Sequence, residues 1–356
     1  MVGAAVAPRP PACGNLAGMT TENRRILLTA RPEGLVGPDC LTTVVEPVPT
    51  PAEGEALVRL AYLSIDPTNR VWMREEDSYL PAIPIGDVVR AAGLGVVTES
   101  RSDAYAVGDL VMGLLGWQDH AIVDGGERAA QVIPAGLAPT DILSIYGSTG
   151  LTAWFGVHDV AEVHEGDTFV VSGAAGGVGS VAGQLARIAG ARVIGIAGSP
   201  EKCRWVTEDL GFDACIDYRR EDLGARLAEL CPEGIDVYFD NVGGEILDAA
   251  LANLAIGARV ALCGAIASYT AAEPPAVRNT FELVSKRARM EGFLLLDYVD
   301  RFPEAVMGLL PHVLEGRIQY AVEVVDGLER APETLNRLFT GDHTGKLLVR
   351  VSDVAD

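Results

Sequence analysis

The stretch from Phe169 to Ser180, reading FVVSGAAGGVGS, is the part of this chain whose residue types and spacing most directly imply chemistry. A run of strand-forming residues meets Gly173, Gly176, Gly177 and Gly179, and a helical pattern follows with Val181, Leu185 and Ile188 on one face. Glycines at that junction permit a tight strand-to-helix turn. They also let backbone N–H groups, with Val178 among them, approach a pyrophosphate at the positive end of a helix dipole. Gly190 is placed to end that helix as a C-terminal cap. A lone glycine pattern is weak; the strand–loop–helix–strand around it makes a dinucleotide site the better reading than a merely structural turn.

The next strand, ARVIGIAG, bears on which dinucleotide. An NAD site ends this strand with an acidic residue that holds the ribose 2′-hydroxyl. Here Gly198 and Ser199 stand in that region, and the nearest basic residue is Lys202. Ser199 reads as an N-cap and Pro200 as the first helical residue, which puts Lys202 in the first turn. A cation there opposes the helix dipole, and a 2′-phosphate facing it removes the conflict. The alternative is a solvated lysine beside Glu201. NADPH is the expected cofactor.

These residues need a scaffold, and the pattern supplies one. From about residue 24 to 140, short strand-like runs alternate with Gly/Pro turns and helical periodicity is scarce, the texture of a β-rich domain. Near Ala138 the texture changes. DTFVVSG, SVAGQLARIAG, ARVIGIAG, PEKCRWVTEDLG, IDVYFDNVG, ILDAALANL and ARVALCG alternate strand and helix, as βαβ units feeding a parallel sheet do. A further helix is expected over PEAVMGLLPHVLEG, with Val306, Leu309, Leu310, Val313 and Leu314 apolar. The closing strand–helix–strand segment has the texture of neither a new domain nor a tail and is expected to fold back on the first domain. The fold class is therefore α/β, a β-rich domain plus a doubly wound parallel sheet.

Composition excludes several functions. A formal net charge of −21 opposes sequence-independent nucleic-acid binding, and it requires a local positive site for any phosphate ligand. No apolar stretch is long enough to span a membrane. The first 20 residues, Pro-broken and without a basic region ahead of an apolar run, read as a disordered leader rather than a secretory signal, or as lying before a true start at Met19. Cysteines 13, 40, 203, 215, 231 and 263 form no CxxC pair, which argues against a metal knuckle or a disulfide framework and fits the cytoplasm. The histidines at 120, 158, 164, 312 and 343 make no ligand cluster with them. No metal site is expected.

In order along the chain, NRRILLTARPEG, YLSIDPTNRVWM, SYLPAIPIGDV, GLLGWQ, GSTGLTAWFGV, AAGGVGS, GSPEKC, GFDACIDYR, YFDNVGGE, CGAIASY, MEGF and GDHTGKLLVRV together resemble the zinc-independent medium-chain dehydrogenase/reductases. Within them the chain looks closest to the branch of prostaglandin/leukotriene reductases, plant alkenal double-bond reductases and bacterial curcumin reductase. The resemblance runs from about Asn23 to Val351. It implies a GroES-like catalytic domain built from residues 21–140 and 312–356 around a Rossmann domain of residues 141–311, with the active site in the cleft between them. It also implies a homodimer that pairs Rossmann sheets.

The resemblance carries cofactor contacts onto Gly176, Gly177, Val178, Gly179, Ser199, Lys202, Tyr218, Asn241, Cys263, Ala265, Ile266 and His343. Taken alone, Tyr218 reads equally as a half-buried aromatic, and Asn241 as a residue shaping the Val-Gly-Gly turn. Tyr269 is the implied catalytic residue, meeting the substrate carbonyl together with the nicotinamide ribose hydroxyl; by itself it reads as a cleft-wall tyrosine. Tyr62, Trp72 and Tyr79 are candidate substrate walls, or plain core aromatics. Two departures stand out: Thr68-Asn69 where the family has Tyr-Met, altering the cleft floor, and His343 where it has Asn, an imidazole that can still donate a hydrogen bond. The implied reaction is NADPH-dependent reduction of the C=C bond of an enone or enal, because without zinc as Lewis acid an enolate still needs only hydrogen-bond donors. The rival readings are a quinone reductase and a low-turnover NADPH-binding protein with a structural or regulatory role.

Overall fold

The computed structural model describes residues 21–126, 128–134, 136–273 and 275–353; the expected leader over residues 1–20 lies outside them. The chain begins with β1 (Glu22–Leu28), β2 (Leu41–Pro47) and the long β3 (Glu55–Ile65), then a single helical turn α1 (Pro67–Val71). Strands β4 (Gly93–Ser100), β5 (Leu110–Gly113), β6 (His120–Asp124) and β7 (Gln131–Val132) follow. β3 pairs antiparallel with both β4 and β6. Its buried residues Leu60, Leu63 and Ile65 form one core with Ile26, Trp117 and Val123.

Helices α2 (Pro139–Ile142) and α3 (Ser148–Phe155) lead into the second unit. There β8 (Thr168–Ser172), α4 (Gly177–Ile188), β9 (Arg192–Ala197), α5 (Pro200–Arg204), β10 (Ala214–Asp217), α6 (Leu223–Leu230), β11 (Ile235–Asp240), α7 (Gly244–Leu251) and β12 (Leu254–Leu262) alternate as expected. The short helices α8 (Ile266–Tyr269) and α9 (Phe281–Ser285), strand β13 (Arg289–Gly292) and helix α10 (Phe302–Leu314) complete it. The strands form a six-stranded parallel sheet in the order β10-β9-β8-β11-β12-β13. Strands covered by helices on both faces read as continuous apolar runs, and Phe169, Val170 and Val171 of β8 are all fully buried.

The chain then returns. β14 (Val322–Asp326), α11 (Ala331–Thr340) and β15 (Lys346–Arg350) join the first unit, with β15 antiparallel to β3. Leu335, Leu347 and Val349 enter the same core as Ile26 and Leu60. The crossings differ slightly from the expected ones. Ile142 and Leu143 still pack with Leu94 and Leu348 of the first sheet, so the forward crossing lies after residue 143. The expected division at 311/312 falls inside α10, whose Ala305 and Leu309 share a core with Ile318, so the return begins beyond that residue. Among the described residues, no helix is long and apolar enough to cross a membrane.

This strand order fixes where a ligand goes. The connections leave β8 toward one edge and β11 toward the other, so a crevice opens at the carboxyl ends of these neighbouring strands.

Candidate active site

The turns after β8 and β11 are tied to each other by buried polar groups. Asp240, fully buried, accepts hydrogen bonds from Ser172 Oγ (2.8 Å), the Tyr238 hydroxyl (2.9 Å) and the amides of Val242 and Gly243. Asn241 donates its side-chain amide to the Ser172 carbonyl (2.7 Å), and its own N–H is held by Ser172 Oγ. Asn241 therefore does shape the turn. Among the described residues no donor reaches its Oδ1, which remains available at the cavity wall.

In the loop after β8, a Cβ at Gly179 would stand 2.4 Å from the Gly173 carbonyl oxygen, so only glycine permits this approach. The amides of Val178 and Gly179 open α4 and have no partner among the described residues, as expected at a helix N-terminus, while the Gly177 amide faces the Gly345 carbonyl across a parallel bridge. They edge a cavity of about 540 Å³ that runs between the two units. The C-terminal segment seals the far side: the Gly345 amide donates to the Ala175 carbonyl (2.8 Å). Lys346 is buried, with Nζ bound to the Ile65 carbonyl (2.8 Å) and Asp66 Oδ1 (2.5 Å). This ion pair, unremarked in the sequence reading, fixes the end of β3 beside the glycine loop.

At the end of β9 the site becomes positive. Ser199 caps α5, its Oγ accepting the Lys202 amide, and Pro200 is the first helical residue. The Lys202 ammonium reaches the Gly341 carbonyl (2.8 Å) at the C-terminus of α11. Arg219 reaches the Thr340 carbonyl beside it (3.1 Å) while its guanidinium lies over the Tyr218 ring. Burial, and then the Arg219 charge, push the Lys202 pKa down. Two crowded cations hydrogen-bonded only to carbonyls, with Asp342 the nearby acid that acts on Lys202, fit a phosphate. The strand end also crowds any side chain there: a Cβ on Gly198 would stand 3.1 Å from the Tyr218 ring, which would have to shift to admit it.

His343 lies in the same corner. Its Nδ1 sits 3.3 Å from the Arg337 carbonyl, so the tautomer that donates there presents Nε2 as an acceptor and the other presents Nε2 as a donor. Burial, and then Lys202, push its pKa down to about 4. A folded-state pKa below the unfolded value of about 6.5 means that the unfolded chain binds the extra proton, so stability falls as pH drops from about 6.5 toward 4. We expect that loss to be on the order of 3 kcal/mol and His343→Asn to remove it. Thermal unfolding of both proteins across this pH range checks it; parallel curves would refute it.

At the opposite end of the cavity stand Cys263, Ile266 and Tyr269. Burial pushes the Cys263 thiol up to about 12, so it remains protonated. The Tyr269 hydroxyl accepts the Ala265 N–H (3.1 Å), which leaves its own proton free to donate. Burial raises its pKa, keeping that proton in place at neutral pH. Ala265 does not line the cavity and acts by holding Tyr269; Ser199 likewise acts through its cap. Arg74 donates to the Ser268 carbonyl (2.6 Å) and links α8 to the first unit.

Trp72 and Tyr79 line the cavity, edge to face at 6.1 Å. Thr68 extends that wall, together with Leu114 and the Phe293–Leu296 segment, which were not among the expected site residues. Of the departure at Thr68-Asn69, only Thr68 faces the cavity. Asn69 is buried, accepting the Asp66 amide and donating to the Arg90 carbonyl (3.0 Å). Tyr62 is not in the wall. It stands on the other face of β3 and packs against the cluster of Leu94, Ile142, Leu143 and Leu348. Among the described residues, no group of three or more His, Cys, Asp or Glu side chains converges to hold a metal ion.

Residues 24–132 match the family described as N-terminal domain of oxidoreductase, and residues 177–310 the one described as zinc-binding dehydrogenase. The chain is 40% identical over 336 residues to the NADPH-dependent curcumin reductase of Escherichia coli (strain K12), covering 93% of this chain and 97% of that protein. It is 38% identical over 300 residues to the 2-alkenal reductase (NADP(+)-dependent) of Nicotiana tabacum, covering 84% and 88%. The crystal structure of CurA in complex with NADPH from Vibrio vulnificus superposes with a TM-score of 0.88 at 37% identity, covering 93% of this chain and all of that one.

Proposed function

This chain belongs to the zinc-independent branch of the medium-chain dehydrogenase/reductases, and from that premise we propose that it reduces the carbon–carbon double bond of α,β-unsaturated aldehydes or ketones with NADPH. The observation that carries the reading is Tyr269, whose hydroxyl is fixed by the Ala265 amide and keeps a proton to donate into an otherwise largely apolar cavity. When bound, NADPH supplies the hydride that the β-carbon receives. The free amides of α4 hold the pyrophosphate, and Lys202, Arg219 and Tyr218 hold the 2′-phosphate. Trp72, Tyr79 and Leu114 enclose the substrate and exclude water. Tyr269 donates to the carbonyl oxygen as it takes on enolate charge, which lowers the barrier only if the donor is already aimed.

The test uses NADPH deuterated at C4 on the transferred face and a simple enone. Label on the β-carbon of a saturated ketone is the expected result. Label on a carbinol carbon, in an allylic alcohol, overturns the assignment.

The same reading places the enzyme in the cytoplasm as a homodimer. β13 is an outer strand of the six-stranded sheet, all four of its residues are exposed, and exposed Phe281 and Val284 flank it. An exposed strand edge is a template for a second copy. We expect light scattering after gel filtration to give twice the chain mass; a monomer at every concentration would refute this.

A further inference from the structure

Two of the cysteines that sequence spacing leaves scattered are neighbours in space. Cys203 is on α5 and Cys215 on β10, and their sulfur atoms stand 3.1 Å apart with the Cys215 thiol donating to Cys203. Both are free and half-buried, reachable by small molecules. The position is significant for another reason. Cys203 follows Lys202 directly, and Cys215 precedes Tyr218 and Arg219 by three and four residues, so the pair links the two segments that hold the cationic corner.

We propose that Cys203 and Cys215 form an oxidisable dithiol site whose closure by a peroxide weakens NADPH binding. The roles of the two sulfurs differ. Accepting the Cys215 S–H lowers the Cys203 pKa, against burial and the charges of Asp217, Glu221 and Glu201, whereas donation and burial raise that of Cys215. Cys203 is therefore the attacking thiolate. Its sulfur attacks one oxygen of hydrogen peroxide, the O–O bond breaks, and the departing hydroxide takes up a proton as water. The Cys215 sulfur then attacks the Cys203 sulfenic sulfur, the S–O bond breaks, and the hydroxide leaves with the Cys215 proton as a second water. Two thiols lose two electrons and two protons, and the peroxide becomes two waters.

Bond formation needs the sulfurs to close by about 1 Å. The proposed coupling is that part of this movement is taken up by the first turn of α5 and the end of β10, shifting Lys202 relative to Tyr218 and Arg219. This second half rests on the reading that Lys202 faces the cofactor, and Lys202→Ala, measured separately for NADPH and NADH, tests that reading independently.

The experiment treats the full-length protein with hydrogen peroxide and maps peptides without reduction. The expected product joins the Cys203 and Cys215 peptides, two hydrogens lighter, and dithiothreitol reverses it. Cys215→Ser should instead stop at a Cys203 sulfenic acid that dimedone traps, while Cys203→Ser should leave Cys215 unmodified. The oxidised wild type should bind NADPH about tenfold more weakly by fluorescence titration, and neither serine variant should show that shift. Cys203 sulfinic acid with Cys215 still free, or a bridge to another cysteine, overturns the pair. A Cys203–Cys215 bridge with unchanged NADPH affinity overturns the coupling.

Discussion

Lys202→Ala weakens NADPH by roughly ten- to a hundredfold and leaves NADH nearly unchanged. A hydrogen bond between charged groups contributes about 1.5–3 kcal/mol, which sets that range. The two dinucleotides differ only in the 2′-phosphate, so NADH controls for any indirect damage. That control is needed, because the Lys202 ammonium also holds the Gly341 carbonyl and its loss loosens the end of α11. Arg219, anchored alongside on Thr340, keeps part of the phosphate site intact in the single variant. Removing both cations should therefore exceed the hundredfold end of the range, and not as a simple product, since neighbouring charges couple. Isothermal titration of both cofactors against the two variants measures this. Equal losses for NADPH and NADH would mean that the 2′-phosphate lies elsewhere.

How much of this site the sequence disclosed follows from where each interaction is written. The glycine loop and the Ser199-Pro200 start of α5 lie within single continuous segments, and local propensity sufficed for them. Arg219 was missed although it adjoins Tyr218. Its partnership with Lys202 arises only because β10 lies parallel to β9, which is information about the sheet and not about either segment. The Cys203–Cys215 contact was invisible for the same reason. Tyr62 stood as either a cleft wall or a plain core aromatic, and the alternation of strand β3 decides for the second. Tyr62 therefore faces away from Leu63 and Ile65, which join the core on the cleft side. His343 does line the cavity, but its neighbour at Nδ1, the Arg337 carbonyl of the preceding helix turn, is a tertiary detail that the sequence does not carry. Residues acting through their neighbours, such as Ala265 and Lys346, carry no side-chain signature of that role at all.

Tyr269→Phe lowers kcat by roughly ten- to a hundredfold on an enone while the Kd for NADPH stays within about twofold of the wild-type value. The hydroxyl accepts from Ala265 and so can donate in only one further direction, at the cavity wall. Losing one aimed donor to a developing oxyanion costs about 2.7–4 kcal/mol in acyl-transfer sites. An enolate spreads its charge over carbon as well as oxygen, so the lower end of that range, about a hundredfold, is the upper bound here. Phenylalanine also leaves the Ala265 N–H without its acceptor, a cost of about 1–3 kcal/mol if water does not replace it. That loss appears in the melting temperature, whereas the donor's contribution appears only in kcat, so the two separate in a pair of measurements. Because burial raises the tyrosine pKa, the wild-type kcat should show no loss from tyrosine ionisation between about pH 6 and 9. An unchanged kcat in the phenylalanine variant would remove Tyr269 from the chemistry. A fall in kcat matched by an equal fall in NADPH affinity would make it a cofactor-positioning residue instead.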